Sequence, residues 1–166
     1  LFSESKGDRN VLYLTNKGSA IAGPVTIKAR SHFFIKHDVL VAEALFALST
    51  TNRLVRFWTE GVIKQVPWDA LNILGGDNLS KVPDLLIDLQ GSERTIRIAV
   101  EVEASQKTKV RYDHMALSYA KIPHVDIVLM FCENRAIELQ INRAFDSEIF
   151  RKTGKTLVTG LVSELV

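Results

Sequence analysis

The chain has 166 residues, 46% hydrophobic and 24% charged, enough for one well-packed domain with a small appendage. A formal charge of +2 argues against a non-specific nucleic-acid coat, although Lys107, Lys109, Arg111 and Lys121 concentrate basic charge in one region. The single Cys132 excludes a disulfide framework or cysteine-rich zinc site and favours a reducing, cytoplasmic setting, and no apolar run approaches the ~20 residues of a membrane helix. Two β-prone runs, 1–5 and 10–14, flank the turn-rich Lys6-Gly7-Asp8-Arg9 and predict a hairpin. Thr15 then caps a short helix-like stretch that closes at Gly23-Pro24. Over 31–49, Phe34, His37, Leu40, Val41, Ala44, Leu45 and Leu48 recur at helical spacing behind Ser31 as N-cap. His32 and His37 on this helix read as packed or hydrogen-bonded histidines rather than metal ligands. Residues 53–58 alternate as a strand, with Glu60 just beyond, and 68–82 read as an irregular connection containing Gly75-Gly76.

Two antiparallel strands, 84–90 and 95–103, follow, joined at Gly91-Ser92. A helix from about Gln106 to Lys121 leads to the apolar strand 125–132, which lacks alternation as a strand buried on both faces does. Cys132 at its end reads as an inert core thiol. A long helix over 134–151 and a closing strand near 156–160 complete the order. Strands bracketed by helices on both sides predict a layered α/β domain with a central mixed sheet.

On the second hairpin strand, Ile96, Ile98, Val100 and Val102 share one face, which alternation assigns to the core. Thr95, Arg97, Ala99, Glu101 and Glu103 share the other, the two glutamates roughly 7 Å apart. Asp84 opens the partner strand and lies near them if the register holds; a slip of one residue turns it away. Three close carboxylates repel and need a cation or raised pKa values. Mg²⁺ is typically held by one or two carboxylates plus water and phosphate oxygens. Asp84, Glu101 and Glu103 are therefore candidate ligands for Mg²⁺ or Mn²⁺. Lys107 and Arg111, one helical turn apart at the start of the next helix, are candidates to point back over the acids toward a phosphate. The competing reading makes Glu101 and Glu103 a solvated edge face, with Lys107 paired to one of them. Asp69, Asp77 and Asp88 read as turn and surface residues, and His114, near Arg111 on the helix, as a phosphate contact or simply exposed. No serine-hydrolase elbow, Cys-His pair or Walker loop is present.

Pro83-Asp84, then Glu101-Val102-Glu103 with Lys107, resembles the PD-(D/E)xK nuclease superfamily. The resemblance implies a restriction-endonuclease-like αβββαβ core, a central mixed sheet flanked by helices, similar in order over residues 31–132 and set in a nuclease-like domain of residues 31–166. It matches Asp84 to the motif Asp, Glu101 to the second acid, and Glu60 to an extra acid contributed by many members. Position 103, where the motif has Lys, is Glu; Lys107 is the substitute on the following helix. Across most of the chain, Tyr13-Leu14-Thr15 through Gly18, His37, Trp58-Thr59-Glu60, Val82-Pro83-Asp84, Glu101 to Lys107, Arg111-Tyr112 and Tyr119-Ala120 resemble the replication-relaxation proteins of plasmids and mobile elements. That resemblance implies that residues 1–23 are the wing and following helix of a truncated winged-helix domain. It also implies DNA as partner, with replication or conjugation proteins, and no membrane. The function expected is phosphodiester hydrolysis with Mg²⁺ or Mn²⁺: Asp84 and Glu101 on the metal, Glu60 or Glu103 as further carboxylate, Lys107 on the water and Arg111 on a phosphate. The alternative is a catalytically inactive DNA-binding or recruitment module of the same fold. A third reading is an α/β regulatory domain whose acids are merely surface.

Overall fold

The computed structural model describes residues 2–6, 9–13, 32–65 and 81–165. The chain divides into two compact units, Leu1–Lys36 and His37–Val166. In the first, β1 (Phe2–Lys6) and β2 (Arg9–Tyr13) pair antiparallel from Phe2↔Tyr13 to Lys6↔Arg9, as the turn residues between them predict. The helix expected after Thr15 lies outside the described residues, as do Asp69, Gly75, Gly76 and Asp77.

The second unit is built on five strands in the order β3 (Leu54–Thr59), β4 (Leu85–Gln90), β5 (Thr95–Glu103), β6 (Ile127–Cys132), β7 (Thr156–Leu161). β4 runs antiparallel to both β3 and β5, β6 runs parallel to β5 and β7 parallel to β6, so the sheet is mixed. Helix α1 (His32–Ser49) precedes β3, and a short α2 (Glu60–Gln65) follows it. Helix α3 (Lys109–Lys121) crosses between β5 and β6, and α4 (Arg135–Phe145) and α5 (Glu148–Arg151) lie between β6 and β7. Among the described residues no helix is long and apolar enough to cross a membrane.

Both faces of the sheet are covered. Ala44, with Val41, Leu45 and Leu48 of α1, packs on Leu85, Ile87, Ile98 and Val100. On the opposite face Tyr112, Met115, Tyr119, Ile137, Ile141, Phe145 and Phe150 pack on Leu86, Ala99, Val128, Met130 and Cys132. Burying each Leu or Ile of these layers contributes about 1.5–3 kcal/mol, which is what holds the helices to the sheet.

This two-sided burial corrects the expectation for β5. Ile98 and Val100 do face a core, but so does the face carrying Ala99, Glu101 and Glu103, which lies beneath α3; each glutamate is only 4% exposed. Alternation identifies the two faces of a strand but not what covers them, and β5 is the middle strand rather than an edge. Asp88 is likewise buried, at 1% exposure, rather than a surface residue. Its register partner Arg97 donates to both carboxylate oxygens, Arg56 donates at 2.7 Å, and both guanidiniums lie over the Trp58 ring. The helix expected over 134–151 breaks at Asp146, because the Ser147 side chain accepts from the Phe150 N–H and starts a new turn. Helix α3 begins at Lys109 behind Thr108, so Lys107 precedes the helix instead of sharing a helical face with Arg111.

Candidate active site

The first acid is positioned by a proline. Pro83 has no N–H to give to the sheet, so β4 pairing starts just beyond it and Asp84 sits at the strand's mouth. One step beyond the pair Thr59↔Leu85, the register sets Glu60 opposite Asp84; one step beyond Leu85↔Val100, it sets Asp84 opposite Glu101. Glu60, just past the end of β3, Asp84, just before β4, and Glu101, near the end of β5, are therefore aligned in a row at one end of three adjacent strands. The Glu60 N–H donates to the Asp84 carbonyl at 2.9 Å, extending the β3–β4 ladder into the row.

Asp84 is buried and well supported. Its Oδ2 accepts the Val102 N–H at 2.8 Å and lies 3.2 Å from His37 Nε2 of α1. Burial pushes the carboxyl upward, but the His37 hydrogen bond, the Val102 N–H and the charges of His37 and Lys81 outweigh it, so the group sits below the usual carboxylate range. The same bond to Asp84 raises His37 against its own burial. His37 is thus a hydrogen-bonded histidine, as its place on an amphipathic helix predicts, and its partner is the central acid.

Glu101 is the most perturbed group. Tyr119 of α3 donates to Oε1 in a short hydrogen bond, and Lys81 Nζ lies 2.9 Å from Oε2. Burial and the nearby Asp84 charge push its carboxyl up to about 7, although Lys81 and Tyr119 pull the other way. Burial lowers Lys81, but Glu101, then Asp84 and Glu60, more than offset it and hold the ammonium above the ordinary lysine value. Tyr119 is raised well above the usual phenol by burial and by Glu101, so it remains a donor. The centre therefore carries an ionised Asp84, a charged Lys81, and a Glu101 near its midpoint at neutral pH.

Two residues further on, Glu103 belongs to a different pair. Lys107 Nζ reaches both of its oxygens at 2.5 Å, and the Tyr112 hydroxyl accepts the Lys107 N–H at 3.1 Å. Glu60 makes a 2.5 Å contact with Lys64 and is half-exposed. Arg111 is exposed on the first turn of α3, and His114 is exposed as expected. Cys132 is buried, and its thiol is pushed up to about 12, mainly by burial, in keeping with an inert core thiol.

No family model matches this chain, and neither does any curated protein.

Of the residues singled out from sequence, the fold brings Asp84 and Glu101 together and aligns Glu60 with them, while Glu103 and Lys107 close on each other. Among the described residues no three of His, Cys, Asp and Glu gather into a group that could hold a metal ion. Two carboxylates are nevertheless the usual protein share for Mg²⁺, and Asp84 and Glu101 offer hard oxygen only. Burial, and then the Asp84 charge, hold the Glu101 carboxyl up at about 7, and a divalent cation on the pair would act against both. The donor chemistry fits such an ion. Sequence reasoning missed Lys81 and did not single out Tyr119 for the site. The signal for Tyr119 was its spacing of seven from Tyr112, which puts both phenols on one helix face above Glu101 and Glu103. Lys81 gave no periodic signal; its nearness to Val82-Pro83-Asp84 was the only clue.

Proposed function

We propose that residues 31–166 are a nuclease-fold domain of the PD-(D/E)xK kind that hydrolyses phosphodiesters in DNA, within a replication or mobilisation protein of a mobile element. The observation that carries the reading is the alignment of Glu60, Asp84 and Glu101 at one end of three adjacent strands, with a charged lysine on Glu101. Asp84 and Glu101 would hold Mg²⁺ or Mn²⁺, and Glu60, at the solvent end of the row, would accept from water bound there. The metal would supply an acidified water and charge stabilisation at the phosphoryl oxygens. His37 and the Val102 N–H fix the Asp84 carboxylate, and Tyr119 fixes Glu101, so both acids are oriented in advance. Arg111, exposed on α3, would take a backbone phosphate. The hairpin of residues 2–13 reads as the wing of a winged helix that adds to DNA contact.

The test is cleavage of supercoiled plasmid with Mn²⁺. The parent protein nicks the plasmid, and Asp84→Ala loses at least about a thousandfold of that activity. Equal cleavage by Asp84→Ala would remove the assignment. One observation favours a second reading, a silent DNA-recruitment module: both Glu101 oxygens and both Glu103 oxygens already have partners within the chain. That module would retain DNA in a gel-shift assay without cleaving it, and Arg111→Ala would weaken retention.

A further inference from the structure

The two oxygens of Glu101 are not held alike. Oε1 receives the Tyr119 hydroxyl, which is buried in the core and anchored by a helix. Oε2 receives Lys81, whose side chain reaches solvent, at 28% exposed. The backbone on the C-terminal side of Lys81 is anchored, since Val82 packs on the core and Pro83 is buried. The four-carbon lysine stem is the flexible part. Its ammonium is within Coulombic reach of Glu101, Asp84 and Glu60, in that order, which are the three members of the carboxylate row. A cation bound by Asp84 and Glu101 would draw on the same negative charge and the same Oε2.

We infer that Lys81 is an internal stand-in for the divalent cation: its ammonium, 2.9 Å from Glu101 Oε2, must leave that oxygen before a metal ion can take the carboxylate. This rests on the reading of the row as a metal centre. Metal binding then displaces one tethered ammonium rather than filling an open site. The displaced ammonium stays leashed beside Asp84. Lys107, held by both oxygens of Glu103, takes no part in the exchange.

Calorimetric titration of the full chain with Mn²⁺ at pH 8 tests this, comparing the parent with Lys81→Met and Lys107→Met. Both variants remove one positive charge from the same region, so a general field effect would strengthen binding equally in the two. Displacement predicts about tenfold tighter Mn²⁺ binding for Lys81→Met and a change of less than about twofold for Lys107→Met. Lys81→Arg, which restores the cation, returns to the parent affinity. Lys81→Gln, which still donates to Glu101 without a charge, replaces Lys81→Met if that variant melts early, and it too should bind more tightly. Mn²⁺ binding that depends on Asp84 but is unchanged by Lys81→Met and Lys81→Gln, or is tightened equally by Lys107→Met, overturns the inference and leaves the metal centre standing. No Asp84-dependent binding in the parent or in either Lys81 variant overturns both.

Discussion

Two lysine–glutamate pairs sit two residues apart on β5, and they differ in what surrounds them. Glu103 pairs with Lys107, four residues on, and the pair is completed by the strand and the turn leading out of it. Glu101 pairs with Lys81, which comes from before the preceding strand, and stands opposite Asp84 beneath Tyr119. Both carboxylates are equally buried, so burial alone does not make a site. Glu101 also has Asp84 beside it, and burial, then the Asp84 charge, push its carboxyl up to about 7.

The largest effect that separates the pairs is on pH dependence. In metal-free protein, folded Glu101 keeps its proton up to about 7, whereas the unfolded chain releases it near 4.5. Between those values the folded state holds more protons, so stability falls as pH rises from 4.5 to 7 and then levels. The change is on the order of 3 kcal/mol for a shift of this size. His37, raised above 6.5 through its bond to Asp84, acts with the same sign: its stabilisation is complete below 6.5 and is lost as pH rises through its folded value. Asp84, lowered from 3.8, acts oppositely, and its contribution is lost only in stronger acid. Urea denaturation across pH 4–8 with chelator present should show the fall in the parent. Glu101→Gln should flatten it to the His37 part. A fall unaffected by Glu101→Gln would mean that Glu101 does not carry the raised carboxyl.

A smaller effect tests where the pairs are alike. Lys81 and Lys107 are equally exposed and each faces a buried carboxylate, so Lys81→Ala and Lys107→Ala should each destabilise by about 2 kcal/mol at pH 8. Equal cost in urea melts, set beside unequal Mn²⁺ affinity, would separate a structural pair from one that shares a cation's position. A cost confined to one lysine would show that the pairs differ in packing rather than in the neighbouring acid.

Local features were the most readable in the sequence. The β4–β5 hairpin was set by Gly91-Ser92 between two apolar runs, and the apolar repeat of α1 and the Pro83-Asp84 strand start were legible for the same reason. They led directly to Asp84 and Glu101. What was not legible depends on contacts distant in sequence. Glu103 and Glu101 looked like a wet face because alternation does not report that α3 lies over β5. Asp88 looked like a surface charge because its partners Arg56 and Arg97 sit on the two neighbouring strands and meet it only once the register is fixed. Lys81 lies in a segment without periodicity, and its partner is on β5. Lys107 is the lysine nearest the acids in sequence, and the same local spacing commits it to Glu103.

The claim that Asp84 and Glu101 form the metal centre is tested most directly by a crystal soaked in Mn²⁺ and measured for anomalous scattering. The account predicts one peak between the Asp84 and Glu101 carboxylates, with the Lys81 ammonium moved off Oε2. A peak at Glu103, or no peak between Asp84 and Glu101 at saturating Mn²⁺, would contradict it.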